Sequence, residues 1–267
     1  MNLKNKVAVV TGSGGEGSGR TEARRLAAEG CHVVVSDIDE TGGMETVRRV
    51  EAAGGRAKFC RCDVNVRGNM QALMAFAEKE FGGVDILINN ASGVPYHPEA
   101  PIEQWYETIH GDLISAIYGL EFGVPAMRKR GGGVIVNVSS TSALSHGKDH
   151  SPAPAYDTAK AGVLRLTTTL AGLSRTENIR VNCLVPAWIA TPEVKTYWEA
   201  LTPKERRDPR IPASLLSLEE VAQAVVDLIT DDLLAGRVLV LRNGEAPALI
   251  PEADPGYASL KVYERRQ

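Results

Sequence analysis

The chain has 267 residues, of which 43% are hydrophobic and 24% are charged, a composition typical of a folded globular protein. Its formal net charge of -3 argues against a nucleic-acid-binding protein, because such proteins carry a surplus of Lys and Arg on one face. No apolar run approaches the roughly 20 residues of a membrane-spanning helix, and the N-terminal residues enter a strand-like run without a cleavable hydrophobic leader. We therefore expect a cytoplasmic protein that binds neither nucleic acid nor membranes.

Short β-branched segments alternate with longer segments of helical periodicity along the chain. The predicted strands are, in order, KVAVVTG, HVVVSD, AKFCRCDV, VDILINNA, GVIVNVSS, IRVNCLVP and GRVLVLRNG. The alternation predicts an α/β fold in a single domain over residues 1–267. Because the strands are nearly continuous Val/Ile runs, we expect a Rossmann-type, doubly wound parallel sheet of about seven strands with helices on both faces.

Helical patterns lie between these strands. Two of them are long, one from about Ile102 to Arg130 and one beginning near Pro152. A later helix, SLEEVAQAVVDLIT, has Ser217 as its predicted N-cap and Glu220 at the capping-box position.

Three irregular stretches follow strands, where open α/β sheets collect their ligand-binding loops: residues 93–101, 141–155 and 188–216. We interpret the last as a substrate lid. It contains three aromatic residues, Trp188, Tyr197 and Trp198. They either line a pocket for a ring-bearing or apolar substrate or pack the lid onto the body of the protein.

The turn after the first predicted strand, TGSGGEGSGR, is rich in glycine. Gly12, Gly17 and Gly19 can supply the tight turn, the close backbone approach and the close helix packing that a pyrophosphate site requires. Ser18, between the last two, is assigned to the same site. The position between a strand and a helix indicates a dinucleotide cofactor.

Asp37 ends the second predicted strand, roughly 20 residues past the glycines, where an acidic group can bind both hydroxyls of an adenosine ribose. Its charge would repel a 2′-phosphate, so NAD(H) is favoured over NADP(H). Alternatively, Asp37 only caps the next helix, and Asp39 competes for either role. Arg20, a basic residue close to the glycines, keeps NADP(H) as the alternative cofactor.

Tyr156 precedes Lys160 by four residues in AYDTAKAGVLRL, so both side chains lie on the same face of a helix. They are either part of an exposed amphipathic face or a proton-transfer pair. Ser140, at the end of the fifth predicted strand, either bonds the backbone or donates a hydrogen bond to a developing oxyanion.

Seven motifs occur in one order: TGSGGEGSGR, SD, DV, NNAS, NVSS, YDTAK and RVNCLVPAWIAT. Together they resemble the short-chain dehydrogenase/reductase family, in its compact single-domain branch, from Lys6 to about Gly244. The resemblance implies an NAD(H)-dependent oxidoreductase that transfers a hydride between nicotinamide and a secondary alcohol or ketone. It also implies that Tyr156 is the general acid/base, that Lys160 holds the nicotinamide ribose and lowers the pKa of the tyrosine, and that Ser140 bonds the substrate oxygen.

The resemblance assigns further residues to the cofactor. Two would flank the adenine ring, two would lie under the ribose and nicotinamide, and three would hold the carboxamide end: Asp63 and Val64, Asn90 and Ala91, and Pro186, Ile189 and Thr191. Tyr156 and Lys160 belong to the cofactor site as well as to the catalytic set.

Four departures from the family pattern stand out. The glycine turn has one extra residue before Gly17, and Ser92 and Ala187 replace glycines. Asp112 stands where the family usually has an asparagine that holds a proton-relay water. Its backbone carbonyl could still hold that water, but its charge would change the relay.

This last departure supports an alternative function, a catalytically weak or inactive nucleotide-sensing or scaffold protein. The intact Ser140, Tyr156 and Lys160 argue against it. A dehydratase or epimerase uses similar residues but usually has a longer C-terminal region.

We expect a small-molecule substrate and a homo-oligomer, a tetramer or a dimer, formed through the helices near residues 113–130 and 152–169. No metal site is predicted, because the histidines of the candidate loops lack partners at fixed distances. These histidines are His97, His146 and His150. Four cysteines are predicted to be reduced and partly buried: Cys31, Cys60, Cys62 and Cys183.

Overall fold

The computed structural model describes residues 1–92, 101–144 and 152–252. Its centre is a sheet with the order β3-β2-β1-β4-β5-β6-β7-β8. The strands are β1 (Val7–Thr11), β2 (His32–Asp37), β3 (Arg56–Arg61), β4 (Ile86–Asn89), β5 (Gly133–Val138), β6 (Ile179–Pro186), β7 (Val238–Leu241) and β8 (Ala248–Leu249). Strands β1 to β7 are parallel, and β8 is antiparallel to β7.

Helices cover both faces of this sheet. They are α1 (Ser18–Ala28), α2 (Glu40–Ala52), α3 (Arg67–Phe81), α4 (Trp105–Ile109), α5 (Ser115–Lys129), α6 (Pro154–Thr169), α7 (Leu173–Thr176), α8 (Pro192–Ala200) and α9 (Leu218–Thr230). Side chains of α1, α2 and α9 form one apolar core with the sheet, and those of α3 and α5 form a second core. Neighbouring residues of β1 alternate between the two cores, as expected for a strand buried on both faces. The predicted fold class, a single-domain Rossmann-type sheet, is confirmed.

Two details of the prediction differ from the structure. The sheet has an eighth strand, β8, whose two residues are too few to produce a pattern in the sequence. The helix predicted from about Ile102 to Arg130 is divided into a 3₁₀ turn, α4, a π turn over His110–Ile114, and α5. A π turn keeps a right-handed helical backbone, so hydrophobic spacing alone does not distinguish it from a continuous α-helix.

The segment 188–216, predicted as irregular, contains helix α8. Thr191 is its N-cap, and the Oγ1 of Thr191 accepts a hydrogen bond of 3.4 Å from the backbone N–H of Val194. Pro192 follows at the first helical position, which suits its fixed φ angle. The sequence Thr-Pro-Glu is therefore a pattern from which the start of this helix could have been predicted. The capping box predicted for Ser217 and Glu220 at the start of α9 is present.

The order of the strands reverses beside β1, which pairs with β2 on one side and with β4 on the other. Chain segments leaving β1 and β4 therefore diverge to opposite halves of the sheet. A crevice opens between them at the carboxyl ends of the strands, where ligands of such sheets bind.

The turn between β1 and α1 closes tightly against the residue that follows β4. Gly12 has a φ of 66°, and a Cβ added to Gly19 would lie 2.3 Å from the carbonyl oxygen of Gly12. The Nδ2 of Asn90 donates to the carbonyls of Thr11 and Gly12 at 2.9 and 3.2 Å. Ser18 Oγ donates to Asn90 Oδ1 at 2.9 Å. These contacts fix the position of the turn at the crevice.

We predict that Gly19→Ala lowers the free energy of unfolding by about 1–3 kcal/mol, because its methyl group must displace the carbonyl of Gly12. The matched control is Gly15→Ala in the same turn, where an added Cβ meets no atom within 4 Å. It should change stability by less than about 0.5 kcal/mol. Urea unfolding of the two variants measures the difference, and equal losses would contradict the proposed close contact.

Glu22 of α1 is 1% exposed, and among the described residues neither of its carboxylate oxygens has a hydrogen-bond partner. Burial raises the pKa of this carboxyl from 4.5 to about 8, because the charged form is poorly solvated in the protein interior. The folded protein therefore holds a proton on Glu22 at pH values where the unfolded chain has released it.

This proton makes stability fall as pH rises between about 4.5 and about 8, by about 1.4 kcal/mol per pH unit from this one group. We predict that Glu22→Gln removes this contribution, because glutamine does not titrate. Urea unfolding at several pH values across that window should show a smaller loss of stability in the variant than in the native protein. Glu51→Gln, at an exposed position of α2, is the control and should keep the native pH dependence. Equal slopes for the native protein and Glu22→Gln would refute the prediction.

Candidate active site

A cavity of 660 Å³ occupies the crevice at the carboxyl ends of β1, β2 and β4. Ten residues that the sequence assigns to a cofactor line it: Gly12, Gly17, Ser18, Gly19, Asp37, Asp63, Val64, Asn90, Ala91 and Thr191. The structure thus brings together residues that are spread over most of the chain.

Seven other lining residues were not singled out for this site by the sequence: Gly15, Glu16, Ile38, Cys62, Asn65, Ser92 and Glu193. Asp39, the predicted rival of Asp37, also lines the cavity. Most of the seven neighbour a predicted residue, so their signal was the loop position and not a residue type. Among the described residues, five carboxylates line the cavity and no Lys, Arg or His does; the carboxylates are those of Glu16, Asp37, Asp39, Asp63 and Glu193.

Asp37 binds the glycine turn directly. Its Oδ2 accepts a hydrogen bond of 2.7 Å from the backbone N–H of Gly14, and its Oδ1 accepts one of 3.0 Å from the N–H of Asp39. The second bond reaches Asp39, the residue before α2, and not an N–H within that helix. Asp39 occupies the N-cap position of α2, but its side chain makes no capping hydrogen bond.

Arg20 lies beneath the turn and is 5% exposed. Its Nε donates to Thr46 Oγ1 at 2.8 Å, and its Nη2 donates to the carbonyl of Gly42 at 3.1 Å. It also forms an ion pair with Glu16, which a second arginine, Arg49, approaches at 2.9 Å. The guanidinium of Arg20 is thus engaged in joining the turn to α2, and it does not line the cavity.

Lys160 of α6 lies in the interior near the end of β5. Its Nζ donates to the carbonyl of Val138 at 3.3 Å, and Ser139 Oγ donates to the carbonyl of Lys160 at 2.7 Å. Ser140, the next residue, is half-buried, and its Oγ accepts a hydrogen bond of 3.3 Å from the N–H of Ser142. Strand β5 and helix α6 are therefore held together where the candidate catalytic residues occur.

Lys160 faces two groups that can carry negative charge. Its Nζ is 5.5 Å from the centre of the Tyr156 ring and 3.1 Å from Asp112 Oδ1. Burial alone would lower the pKa of Lys160, but the charges of Tyr156 and Asp112 outweigh burial and raise it above its usual value. Lys160 is therefore a buried cation, held in its protonated form beside a half-buried tyrosine.

The start of the 188–216 segment pairs with the end of the same segment. Ile189 pairs with Leu216, and the N–H of Ala190 donates to the carbonyl of Leu216 at 2.8 Å. Pro186, at the end of β6, is buried, and neither Pro186 nor Ile189 lines the 660 Å³ cavity. Thr191 does line it, and its Cγ2 would lie 3.9 Å from a Cβ on Gly17.

The aromatic residues of this segment contact other residues of the segment. The rings of Trp188 and Tyr197 lie 6.0 Å apart. Trp198 Nε1 donates to the carbonyl of Pro212 at 3.0 Å, and the guanidinium of Arg206 lies 4.1 Å from its ring centre. These contacts lie within the segment, and Tyr197 is 56% exposed.

Some expectations lie outside the described residues, namely those on His97, His146 and His150 and on most of the loops 93–101 and 141–155. Within residues 1–92, 101–144 and 152–252, no group of three or more His, Cys, Asp or Glu side chains could hold a metal ion. In the same ranges, every helix is too short or too polar to cross a membrane. The cysteines are free, three of them buried and Cys60 partly buried.

Residues 6–202 match the family model described as short chain dehydrogenase. The chain is 35% identical over 233 residues to cyclohexanol dehydrogenase of Acinetobacter sp. (strain SE19), covering 86% of this chain and 90% of that protein. It is 33% identical over 253 residues to dehydrogenase/reductase SDR family member 4 of Sus scrofa, and the match covers 92% of this chain and 89% of that protein.

A solved structure of 7 alpha-hydroxysteroid dehydrogenase, complexed with NADH and 7-oxo glycochenodeoxycholic acid, superimposes on the chain with a TM-score of 0.81. It is 30% identical, and the match covers 91% of this chain and 96% of that one. The family match extends over the glycine turn, Tyr156 and Lys160. The chain therefore belongs to the short-chain dehydrogenase/reductase family of oxidoreductases.

Proposed function

We propose that this protein is an NAD(H)-dependent dehydrogenase that transfers a hydride between nicotinamide and a secondary alcohol or ketone, with Tyr156 as the general acid/base. The observation that carries the proposal is the buried Lys160 ammonium, 5.5 Å from the Tyr156 ring. A cation at this position favours the phenolate form of the tyrosine, which can accept the proton of an alcohol.

The crevice fits a dinucleotide on its own geometry. Gly19 leaves the space that a side chain would fill against the carbonyl of Gly12. The N-cap of α1, Gly17, provides no side-chain capping bond, and the first turn of α1 contains no acidic residue. The N–H groups at this helix end are therefore available to a pyrophosphate. When bound, the nicotinamide supplies or accepts the hydride.

Residues of the chain provide the proton transfer, the hydrogen bonds to the substrate and the cofactor contacts. Tyr156 exchanges a proton with the substrate oxygen, and Lys160 favours the ionised form of Tyr156 and binds the nicotinamide ribose. Ser140 donates a hydrogen bond to the substrate oxygen as negative charge develops on it. Asp63 and Val64 border the adenine, while Pro186, Ile189 and Thr191 bind the carboxamide end.

The charge of the cavity supports NAD(H) over NADP(H). In the part of the lining that the structure describes, there are five carboxylates and no basic side chain, so a 2′-phosphate would enter a negative field. Arg20, the basic residue that could accept a phosphate, is engaged beneath the turn. Asp37 is assigned to the adenosine ribose while it also binds Gly14.

The named relatives suggest cyclic secondary alcohols as the substrate class, since one is a cyclohexanol dehydrogenase and another a hydroxysteroid dehydrogenase. In this proposal, the 188–216 segment is the substrate lid, and the pairing of Ile189 with Leu216 joins its two ends. Trp188 and Tyr197 form its aromatic surface.

The proposal includes a cytoplasmic homo-oligomer assembled through α5 and α6. Exposed apolar side chains near the start of that surface support self-association: Ile102, Tyr106 and Ile117. The four free cysteines agree with a reducing compartment.

A second candidate is a nucleotide-sensing or scaffold protein with weak or no turnover. The observation that favours it is the carboxylate of Asp112 beside Lys160 at 3.1 Å, because it offsets the cation on which Tyr156 depends. Such a protein would bind NADH and turn over no substrate.

We predict that the protein reduces NAD in the presence of secondary alcohols such as cyclohexanol, and that Tyr156→Phe lowers kcat by about 10²–10⁴-fold. NADH binding should survive, because the ring remains in place. Tyr106→Phe is the control, since Tyr106 is 81% exposed on α4, and it should retain native turnover. Absorbance of reduced nicotinamide measures turnover, and fluorescence titration measures binding. Native turnover in Tyr156→Phe would refute the role of Tyr156, whereas NADH binding without turnover by the native protein favours the sensor.

We predict that the native protein binds NADH more tightly than NADPH. In Asp37→Asn, the ratio of the NADPH and NADH dissociation constants should fall by about tenfold or more, since the amide keeps the shape of the side chain but not its charge. Asp39→Asn is the matched control and should narrow the preference less. Fluorescence titrations with both reduced cofactors give the ratio of dissociation constants. Tighter binding of NADPH by the native protein would overturn the cofactor assignment.

A further inference from the structure

Asp112 is the most deeply buried acid of the candidate active site. Its side chain is 1% exposed, and that of Lys160 is 6% exposed. The Oδ1 of Asp112 lies 3.1 Å from Lys160 Nζ. The two charged groups meet in the protein interior, where the surroundings screen their attraction little.

The π turn over His110–Ile114 places the carboxylate at this point. Such turns add a residue to a helical turn and often occur at functional sites. The turn is fixed on its far side, because Ser115 Oγ donates a hydrogen bond of 2.5 Å to the carbonyl of Gly111. Asp112 is thus held against α6 by the backbone and not by a flexible loop.

Among the described residues, Lys160 is the ion-pair partner of Asp112. On α4, Tyr106 and Glu107 are exposed. On α5, Tyr118 stacks edge-on against His110, and Glu121 pairs with Arg67.

Behind Lys160, Cys183 of β6 is fully buried, and burial raises the pKa of its thiol to about 12. The thiol is therefore neutral at ordinary pH and adds no charge to the pair.

We propose that Asp112 is a positioning residue that fixes the Lys160 ammonium beside Tyr156 and, by offsetting its charge, shifts the proton exchange of Tyr156 to higher pH. The inference rests on the proposed function, because it assigns Tyr156 the proton-transfer role.

The direction follows from charge alone. A tyrosine beside an isolated cation loses its proton more readily, and a carboxylate on the same cation cancels part of this effect. Opposite charges within about 4–6 Å change a proton affinity by about one to three pH units. The carboxylate of Asp112 therefore controls the pH range in which Tyr156 can act as a base.

The test is Asp112→Asn, which keeps the size of the side chain and removes its charge. Tyrosinate absorbance of the protein without cofactor, titrated against pH, should show one tyrosine ionising about one pH unit lower than in the native protein. The signal should be absent from Asp112→Asn/Tyr156→Phe, which assigns it to Tyr156. In the active enzyme, the pH dependence of kcat for alcohol oxidation should shift in the same direction.

Asp85→Asn is the control, because Asp85 is also a buried, ion-paired carboxylate, with Lys6 and Arg130 as its partners. It should leave the tyrosinate titration unchanged. Should Asp112→Asn fold poorly, Asp112→Ser provides a smaller neutral side chain for the same measurement.

An unchanged titration, or a shift to higher pH, would overturn the proposal; the latter would show that Lys160 loses its proton without Asp112. The titration requires no substrate, so it decides this inference even if no alcohol is turned over and the proposed function fails.

Discussion

The site depends on the close approach of the first helix to the end of the first strand. Only a residue without a side chain fits at Gly19, where an added Cβ would lie 2.3 Å from the carbonyl of Gly12. Asn90, from the neighbouring strand end, bonds the same carbonyl and also Ser18. Because these contacts join β1, α1 and β4 at the point where the strand order reverses, they set both the width of the crevice and the direction of the helix end that faces it.

The distribution of charge in the crevice follows from this arrangement. The lining contains five carboxylates, while the nearest arginines are used beneath or beside the turn in ion pairs with Glu16. The cation of the candidate catalytic set, Lys160, is instead buried deeper, near the end of β5. In the proposed function, the helix end and the carboxylates recognise a dinucleotide by backbone N–H groups and ribose hydroxyls, with little help from basic side chains. This explains why the proposed cofactor is the one without the additional phosphate.

The sequence predicted the architecture well because buried parallel strands and amphipathic helices leave strong patterns. It placed five lining residues through the glycine turn and Asp37, and five more through a family resemblance. It could not predict the division of the helix around Asp112, since a π turn preserves helical spacing. Nor could it reveal the ion pair with Lys160, which joins residues 48 positions apart in the chain. Glu22 was missed for another reason: it occurs among charged helix residues, and only packing shows that it is buried.

Both functional alternatives depend on the net positive charge beside Tyr156, which Asp112 reduces. The carboxylate of Asp112 lies 3.1 Å from Lys160 and leaves the lysine charged. Tyr156 and Asp112 both raise the pKa of Lys160, so the buried lysine keeps its proton. The same carboxylate reduces the net positive charge that Tyr156 experiences. Under the proposed function, the proton occupancy of Tyr156, and not the geometry of the fold, separates a weakly active enzyme at neutral pH from a competent one at alkaline pH.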